Sequence, residues 1–141
     1  MRFWDTSALL PLFVSEPATR RVRAWLRKDP VAIVWTLTRV ELVSALARRE
    51  REEPEKARAL LRARRQVLTV WEEWSEVVAV DPVRRQAERL VSAHPLRAAD
   101  ALQLGAALVA CDLEPSTMPF VTLDERLATA AEREGFSVLG A

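Results

Sequence analysis

Five short apolar runs punctuate the chain: RFWD at 2–5, VAIVWT at 31–36, EVVAV at 76–80, PFVTL at 119–123 and FSVL at 136–139. Between them apolar residues recur at helical spacing, so the hydrophobic period switches repeatedly from strand to helix. TSALLPLF follows the first run, and a second helix is expected from Ser15, with Glu16 and Pro17 in its first turn. LTRVELVSALARRE follows the second run, and Pro54 is expected to open a long amphipathic helix reaching the region of Trp71 and Trp74. Asp81-Pro82 carries the N-cap and N1 chemistry of another helix, His94-Pro95 repeats that signal, and Gly135 closes the helix DERLATAAERE. Strands alternating with helices specify an α/β layer structure. The expectation is a central, mainly parallel sheet of four to five short strands, flanked by helices in three layers and joined by right-handed crossovers.

With 141 residues, the chain is expected to form one domain over 1–141, long enough to bury a substantial core. Cys111 is the only cysteine, which excludes an internal disulfide and a thiolate zinc cluster; with no signal peptide, a reducing, cytoplasmic setting is expected. No apolar run approaches the length of a membrane span. Basic and acidic residues balance, 21 against 20, so net charge says nothing about a nucleic-acid partner. Their placement says more. Cations gather at Arg20, Arg21, Arg23, Arg27 and Lys28, and again from Arg48 to Arg65, where Glu50, Glu52, Glu53 and Glu55 dilute them. The second group reads as solvated helix faces. All the cations but Lys28 and Lys56 are arginine, which suits phosphate.

In a parallel α/β sheet the chemistry sits beyond the carboxyl ends of the strands. Asp5 ends the first apolar run, Asp124 follows PFVTL, and Glu41 lies one turn into the helix after VAIVWT, so all three fall on one edge. Each also has a purely structural reading. Asp5 and Asp124 are placed to be helix N-caps, and Glu41 stands in a Thr38-x-x-Glu41 capping box, a pattern repeated at Thr122-x-x-Glu125.

Asp100 resists that explanation. In PLRAADALQLGAALVAC (95–111), a step of about 100° per residue puts it beside Leu96, Leu104, Ala107, Leu108 and Cys111, in the middle of the apolar arc. It stands too far past Pro95 to be the N-cap. A buried carboxylate needs a partner or takes up a proton. Two partners are open: an ion pair, for instance with Arg97 one turn earlier, or a divalent cation shared with Asp5, Glu41 and Asp124. Crowded carboxylates repel one another, whereas a hard cation such as Mg2+ takes oxygen ligands and keeps several waters.

Other catalytic constellations fail for want of parts. His94 is the only histidine and precedes a proline, no G-x-S-x-G elbow occurs, and Gly105, Gly135 and Gly140 form no phosphate loop. One Cys and one His cannot build a zinc cage.

FWDTSALL (3–10), T-x-V-E-L-x-x-A-L (38–46), PLRAADALQLGAAL (95–108) and FVTLDERLATAAEREGF (120–136) together resemble the motifs of PIN-domain ribonucleases. Order, spacing and total length are similar in particular to the VapC-type toxins of toxin–antitoxin modules, across nearly the whole chain. The resemblance implies a PIN-like fold in which Asp5, Glu41, Asp100 and Asp124 form an acidic pocket holding Mg2+ or Mn2+, with Ser7 and Thr122 as polar supports. Gln103 departs from the pattern, standing where an imidazole is frequent, with no consequence expected for the class. The implied chemistry is hydrolysis of RNA phosphodiester bonds, leaving 5′-phosphate and 3′-hydroxyl ends. Arg39, Arg97 and Arg126 are candidates for steering phosphate to the rim of the pocket, and the near-neutral charge points to a short RNA footprint.

The resemblance also implies a toxin homodimer and a cognate antitoxin whose C-terminal tail blocks the pocket. The helices around 37–50 and 55–74, with Trp71 and Trp74, are the expected docking groove, unless those tryptophans are simply core. Two other readings stay open. One is a PIN-like fold used for RNA binding or regulation with little or no cleavage. The other is a Mg2+-dependent phosphotransfer protein with Asp5 as phosphorylated nucleophile, which expects a second acid beside Asp5 and a lysine near a later strand end; this chain has Thr6 and Ser7 there, and only Lys28 and Lys56.

Overall fold

Each of the five apolar runs overlaps a strand: β1 (Arg2–Trp4), β2 (Ala32–Trp35), β3 (Ser75–Val77), β4 (Phe120–Thr122) and β5 (Val138–Gly140), in a computed structural model that describes residues 1–141. Every pairing is parallel, in one sheet of order β3-β2-β1-β4-β5. Seven helices connect them: α1 (Thr6–Phe13), α2 (Thr19–Lys28), α3 (Thr38–Glu52), α4 (Ala57–Trp71), α5 (Val80–Ala93), α6 (Ala98–Ala110) and α7 (Glu125–Arg133). From β1 the chain builds outward through β2 and β3, then returns to the other side of β1 with β4 and β5. Open α/β sheets bind ligands in the crevice at such a reversal, outside the strands' carboxyl ends. Asp5 directly follows β1, and Asp124 follows β4 after Leu123.

Side chains alternate across a strand, so each strand feeds two cores. Phe3, Ile33, Trp35 and Phe120 pack with Leu90, Leu104, Leu108, Leu127 and Phe136 from α5 to α7 and the turn after it. Trp4, Ala32, Val34 and Val121 pack instead with Leu9, Val22, Leu42, Val67 and Trp71 from α1 to α4. Phe3 stacks on Phe120 across β1 and β4, with ring centroids 5.5 Å apart.

The second core corrects one expectation. Trp71 is 3% exposed, and Trp74 meets both Trp71 and Phe13 edge-on, so the two tryptophans are packing residues and form no docking groove. Several boundaries move as well. The Thr19 hydroxyl accepts from the Glu16 amide and donates toward the Pro11 and Val14 carbonyls, so α2 begins at Thr19 and not near Ser15. Pro54 opens only a single turn of 3-10 helix, Pro54–Lys56, ahead of α4. β3 stops at Val77, opposite the end of its partner β2, which leaves Val78 and Val80 exposed. α5 then starts at Val80 with Ala79 as its N-cap, ahead of Asp81-Pro82, and α6 starts at Ala98 with Arg97 as its N-cap.

Gly105 lets α6 lie directly on α5. A Cβ there would stand 3.0 Å from the Val83 carbonyl oxygen and 3.2 Å from the Ala87 nitrogen, both backbone atoms with little freedom to give. Gly105→Val is therefore expected to destabilise the protein by about 1–3 kcal/mol, seen as a lower urea midpoint. An unchanged midpoint would contradict the close α5–α6 contact.

Candidate active site

Asp5 stands where β1 gives way to α1, and it is 4% exposed. All of its side-chain hydrogen bonds fall on Oδ2. Ser7 Oγ donates at 2.5 Å, Thr122 Oγ1 at 2.7 Å and the Ser7 amide at 3.3 Å. Because Thr122 closes β4, the carboxylate ties two adjacent strands together at their exits. Ser7 Oγ also accepts from the Leu123 amide at 2.9 Å, and Thr122 Oγ1 from the Asp124 amide at 3.1 Å. Burial nevertheless dominates: it pushes the Asp5 carboxyl up to about 6, against those hydrogen bonds, and the charge of Glu41 adds to the rise.

Glu41 lies in the first turn of α3 but closes no capping box, since α3 has Leu37 at its N-cap and no side-chain cap. Its carboxylate instead accepts from Thr6 Oγ1 at 2.7 Å and lies 3.4 and 3.5 Å from Gln103 Nε2. Gln103 Nε2 also donates to Thr38 Oγ1 at 2.7 Å and Thr6 Oγ1 at 2.9 Å, while Gln103 Oε1 is buried without a partner. Gln103 thus joins α1, α3 and α6 behind Glu41, a local role that its departure from a motif did not suggest. Thr6 was likewise missed; its position next to Asp5 was the only signal. Burial raises the Glu41 pKa, and Asp100 contributes to the rise.

Asp100 is half-buried in the first turn of α6, not deep in the apolar arc. A carboxylate is at home there, near the positive end of the helix dipole. It forms no salt bridge: its pKa is raised by burial and then by Asp124, with smaller opposing pulls from Arg97 and Arg126. Asp124 is the N-cap of α7, its Oδ1 accepting from the Leu127 amide at 2.8 Å. Glu41 acts on Asp5, Asp100 on Glu41 and Asp124 on Asp100, so the four acids form one row of mutual repulsion.

Two cavities open onto this row. One, of about 620 Å³, is lined by Asp100, Asp124 and Glu125 together with Arg97 and Arg126. The other, of about 550 Å³, is lined by Thr6, Glu41, Ser44 and Arg48 and by the apolar Leu37, Val40 and Leu102. Ala99 borders both. Arg39 lines neither, so of the three arginines singled out in the sequence only Arg97 and Arg126 are brought to the acids. Arg48, grouped by sequence with the solvated cations, is exposed and lines the same cavity as Glu41.

The donor set suits a hard divalent cation: it is all oxygen, mutually repelling, and leaves oxygens free on Asp5, Asp100 and Asp124. As the side chains lie, no three His, Cys, Asp or Glu are gathered tightly enough to hold an ion. Glu41 is held by Thr6 and Gln103, and Asp124 by the Leu127 amide.

A parallel sheet of this order, with acids from β1, α3, α6 and the end of β4 converging at its reversal point, defines a class, and the chain belongs to the PIN domain family, whose model matches residues 2–133. A relative, Ribonuclease VapC47 of Mycobacterium tuberculosis (strain CDC 1551 / Oshkosh), is 36% identical over 141 aligned positions, spanning 96% of this chain and 93% of that protein. Among solved structures, a toxin–antitoxin complex from Klebsiella pneumoniae superposes with a TM-score of 0.64 at 17% identity over 91% of each chain. FitAB bound to an IR36 DNA fragment superposes with a TM-score of 0.67 at 18% identity, over 99% of this chain and 94% of that one. At those identities the two structures speak to the fold alone.

In metal-free buffer the raised pKa of Asp5 has a definite consequence for stability. The folded state keeps the proton to about 6, whereas the carboxyl's ordinary value is 3.8. The stability this contributes is complete below 3.8 and is lost as pH rises to about 6, amounting to about 3 kcal/mol. Glu41 and Asp100, also raised, tilt the curve the same way. Asp5→Asn is expected to flatten this part of the curve in urea melts and to leave the variant the more stable protein above pH 6. Identical pH dependence in the two proteins would contradict the burial of that charge.

Proposed function

We propose that this protein is a Mg2+- or Mn2+-dependent endoribonuclease, the toxin of a toxin–antitoxin pair, acting in the cytoplasm as a homodimer. The observation that carries the proposal is the row of four acids at the sheet's reversal point, with free oxygens on Asp5, Asp100 and Asp124. Membership of the PIN family and the likeness to a protein named a ribonuclease support it. So do the solved toxin–antitoxin folds, and no helix is long and apolar enough to cross a membrane.

A divalent cation bound among these acids supplies a water of lowered pKa, its alignment for in-line attack, and neutralisation of charge on the leaving 3′ oxygen. Asp5 presents Oδ1 while Ser7 and Thr122 hold Oδ2, so the ligand is oriented before any ion arrives. Asp124 presents Oδ2 while Oδ1 stays on the Leu127 amide. Thr6 and Gln103 set the direction of the Glu41 carboxylate. Asp100, on the cavity wall with no salt bridge to occupy it, would accept the proton of the attacking water. Arg97 and Arg126, on the cavity wall, hold the non-bridging oxygens of the scissile phosphate. The antitoxin tail covers the same acids, anchored on the apolar wall of Leu37, Val40 and Leu102 in place of the tryptophan groove.

Purified protein is expected to cleave RNA only with Mg2+ or Mn2+, and Asp5→Asn or Asp100→Asn is expected to abolish cleavage. Replacing Arg97 and Arg126 together by Ala should act mainly on KM, by about tenfold. Full activity of Asp100→Asn in metal-replete buffer would sink the assignment. RNA binding without cleavage by the unaltered protein would favour the binding-only reading.

A further inference from the structure

The two clusters of cations in the sequence differ in the structure. Within 48–65, Arg49 pairs with Glu16, Lys56 with Glu53 and Arg64 with Glu50. On α2, Arg20, Arg23 and Arg27 pair with no acid; the nearest approach is Arg23 to the Leu12 carbonyl at 3.5 Å. Their spacing puts the three on one helix face, where like charges repel and weaken the helix. With Ser15, Glu16 and Thr19 they line a cavity of about 650 Å³ that has no hydrophobic residue in its wall. Glu16 does not cancel them, because its carboxylate is already held by Arg49. No side chain caps the first turn of α2 either, so the helix adds its own positive end to the cavity.

The position of this cavity relative to the acids is set by two helices. α1 starts beside Asp5 and runs eight residues to Phe13, about 12 Å. α3 carries Glu41 in its first turn and, about 12 Å further along, Arg49, which grips the cavity's Glu16. Arg48 lies on the same path, in the cavity beside Glu41.

We infer that Arg20, Arg23 and Arg27 form a second phosphate site, which holds the backbone of the RNA strand a few nucleotides away from the bond being cut. This rests on the nuclease reading above and deepens it. Guanidinium forks match phosphate oxygens two at a time, and a wall of polar side chains and Pro17 offers little to an apolar anchor. The short footprint expected from net charge is thereby extended: the balance of 21 and 20 charges conceals a cluster on α2 in which Arg20, Arg23 and Arg27 have no acid partner.

The test compares wild type with Arg20→Gln/Arg23→Gln/Arg27→Gln, and with a control, Arg58→Gln/Arg62→Gln/Arg65→Gln, that removes three exposed cations from α4. All six positions are exposed, so both variants keep the fold, which thermal melts verify. The readouts are binding of a long single-stranded RNA in EDTA across a salt series, and kcat/KM on that RNA and on a trinucleotide with metal present. The α2 variant should bind the long RNA on the order of tenfold more weakly, with a salt slope shallower by about 2. It should cut the long RNA correspondingly more slowly and the trinucleotide at the wild-type rate, while the control changes little. Wild-type binding and cleavage by the α2 variant, or equal losses in the control, would overturn the second site and leave the nuclease standing. No cleavage by wild type would remove both. Loss of affinity for an acidic peptide, with RNA binding unchanged, would also overturn the site by assigning it to a protein partner.

Discussion

The carboxyl edge of the sheet is organised around Oδ2 of Asp5, the acceptor for Ser7 at the start of α1 and for Thr122 at the end of β4. These bonds cross the point where strand order reverses, and Ser7 and Thr122 carry them on to the amides of Leu123 and Asp124. One carboxylate therefore fixes how β1, β4 and the entry to α7 meet. The same burial that makes the arrangement rigid makes the charge costly, and hydrogen bonding does not offset it, since the carboxyl is still pushed up to about 6. A positive charge brought to that edge would offset the cost.

The rest of the molecule extends this balance of paired and unpaired charge. Glu134 shows the paired case: it accepts from Arg89 at 2.8 and 3.2 Å and meets His94 Nε2 at 2.6 Å, and its pKa is lowered, by Arg89 above all. The acids at the sheet edge are the unpaired negative case, and the α2 arginines the unpaired positive one. α1 and α3 span the distance between the two, with Arg48 along the way. Under the proposed function, a polyanion whose phosphates need cations and whose scissile bond needs a metal would be complementary to both.

Much of this was legible in residue order. Apolar runs as short as RFWD and PFVTL have few ways to be buried, and five of them between helices leave a parallel sheet as the economical solution. Asp5 and Asp124 were legible because they stand at or just beyond the ends of strands. Local signals failed where a distant partner outweighed them. His94-Pro95 has the chemistry of a helix start, but His94 pairs with Glu134, a bend at Pro95 closes with the Leu96 amide on the His94 carbonyl, and α6 begins at Ala98. That shift moves Asp100 from the middle of an apolar arc to a first turn. The pattern Thr38-x-x-Glu41 reads equally well as a capping box; Thr6 and Gln103, remote in sequence, take both side chains away from capping. Pairing of Arg64 and Lys56 with acids of the same segment was foreseeable from composition, whereas the pairing of Arg49 with Glu16 and the isolation of Arg20, Arg23 and Arg27 appeared only in the fold.

The central claim is that Asp5, Glu41, Asp100 and Asp124 share a divalent cation, and direct binding of Mn2+ to the metal-free protein tests it without relying on a substrate. Titration followed by electron paramagnetic resonance and by thermal melting should show saturable binding that raises the melting temperature. Affinity should fall about tenfold or more in Asp5→Asn and in Asp100→Asn, and it should weaken as the pH drops through about 6, where Asp5 gains its proton. Mn2+ binding as tight in both variants as in wild type, or no binding at all, would contradict the account.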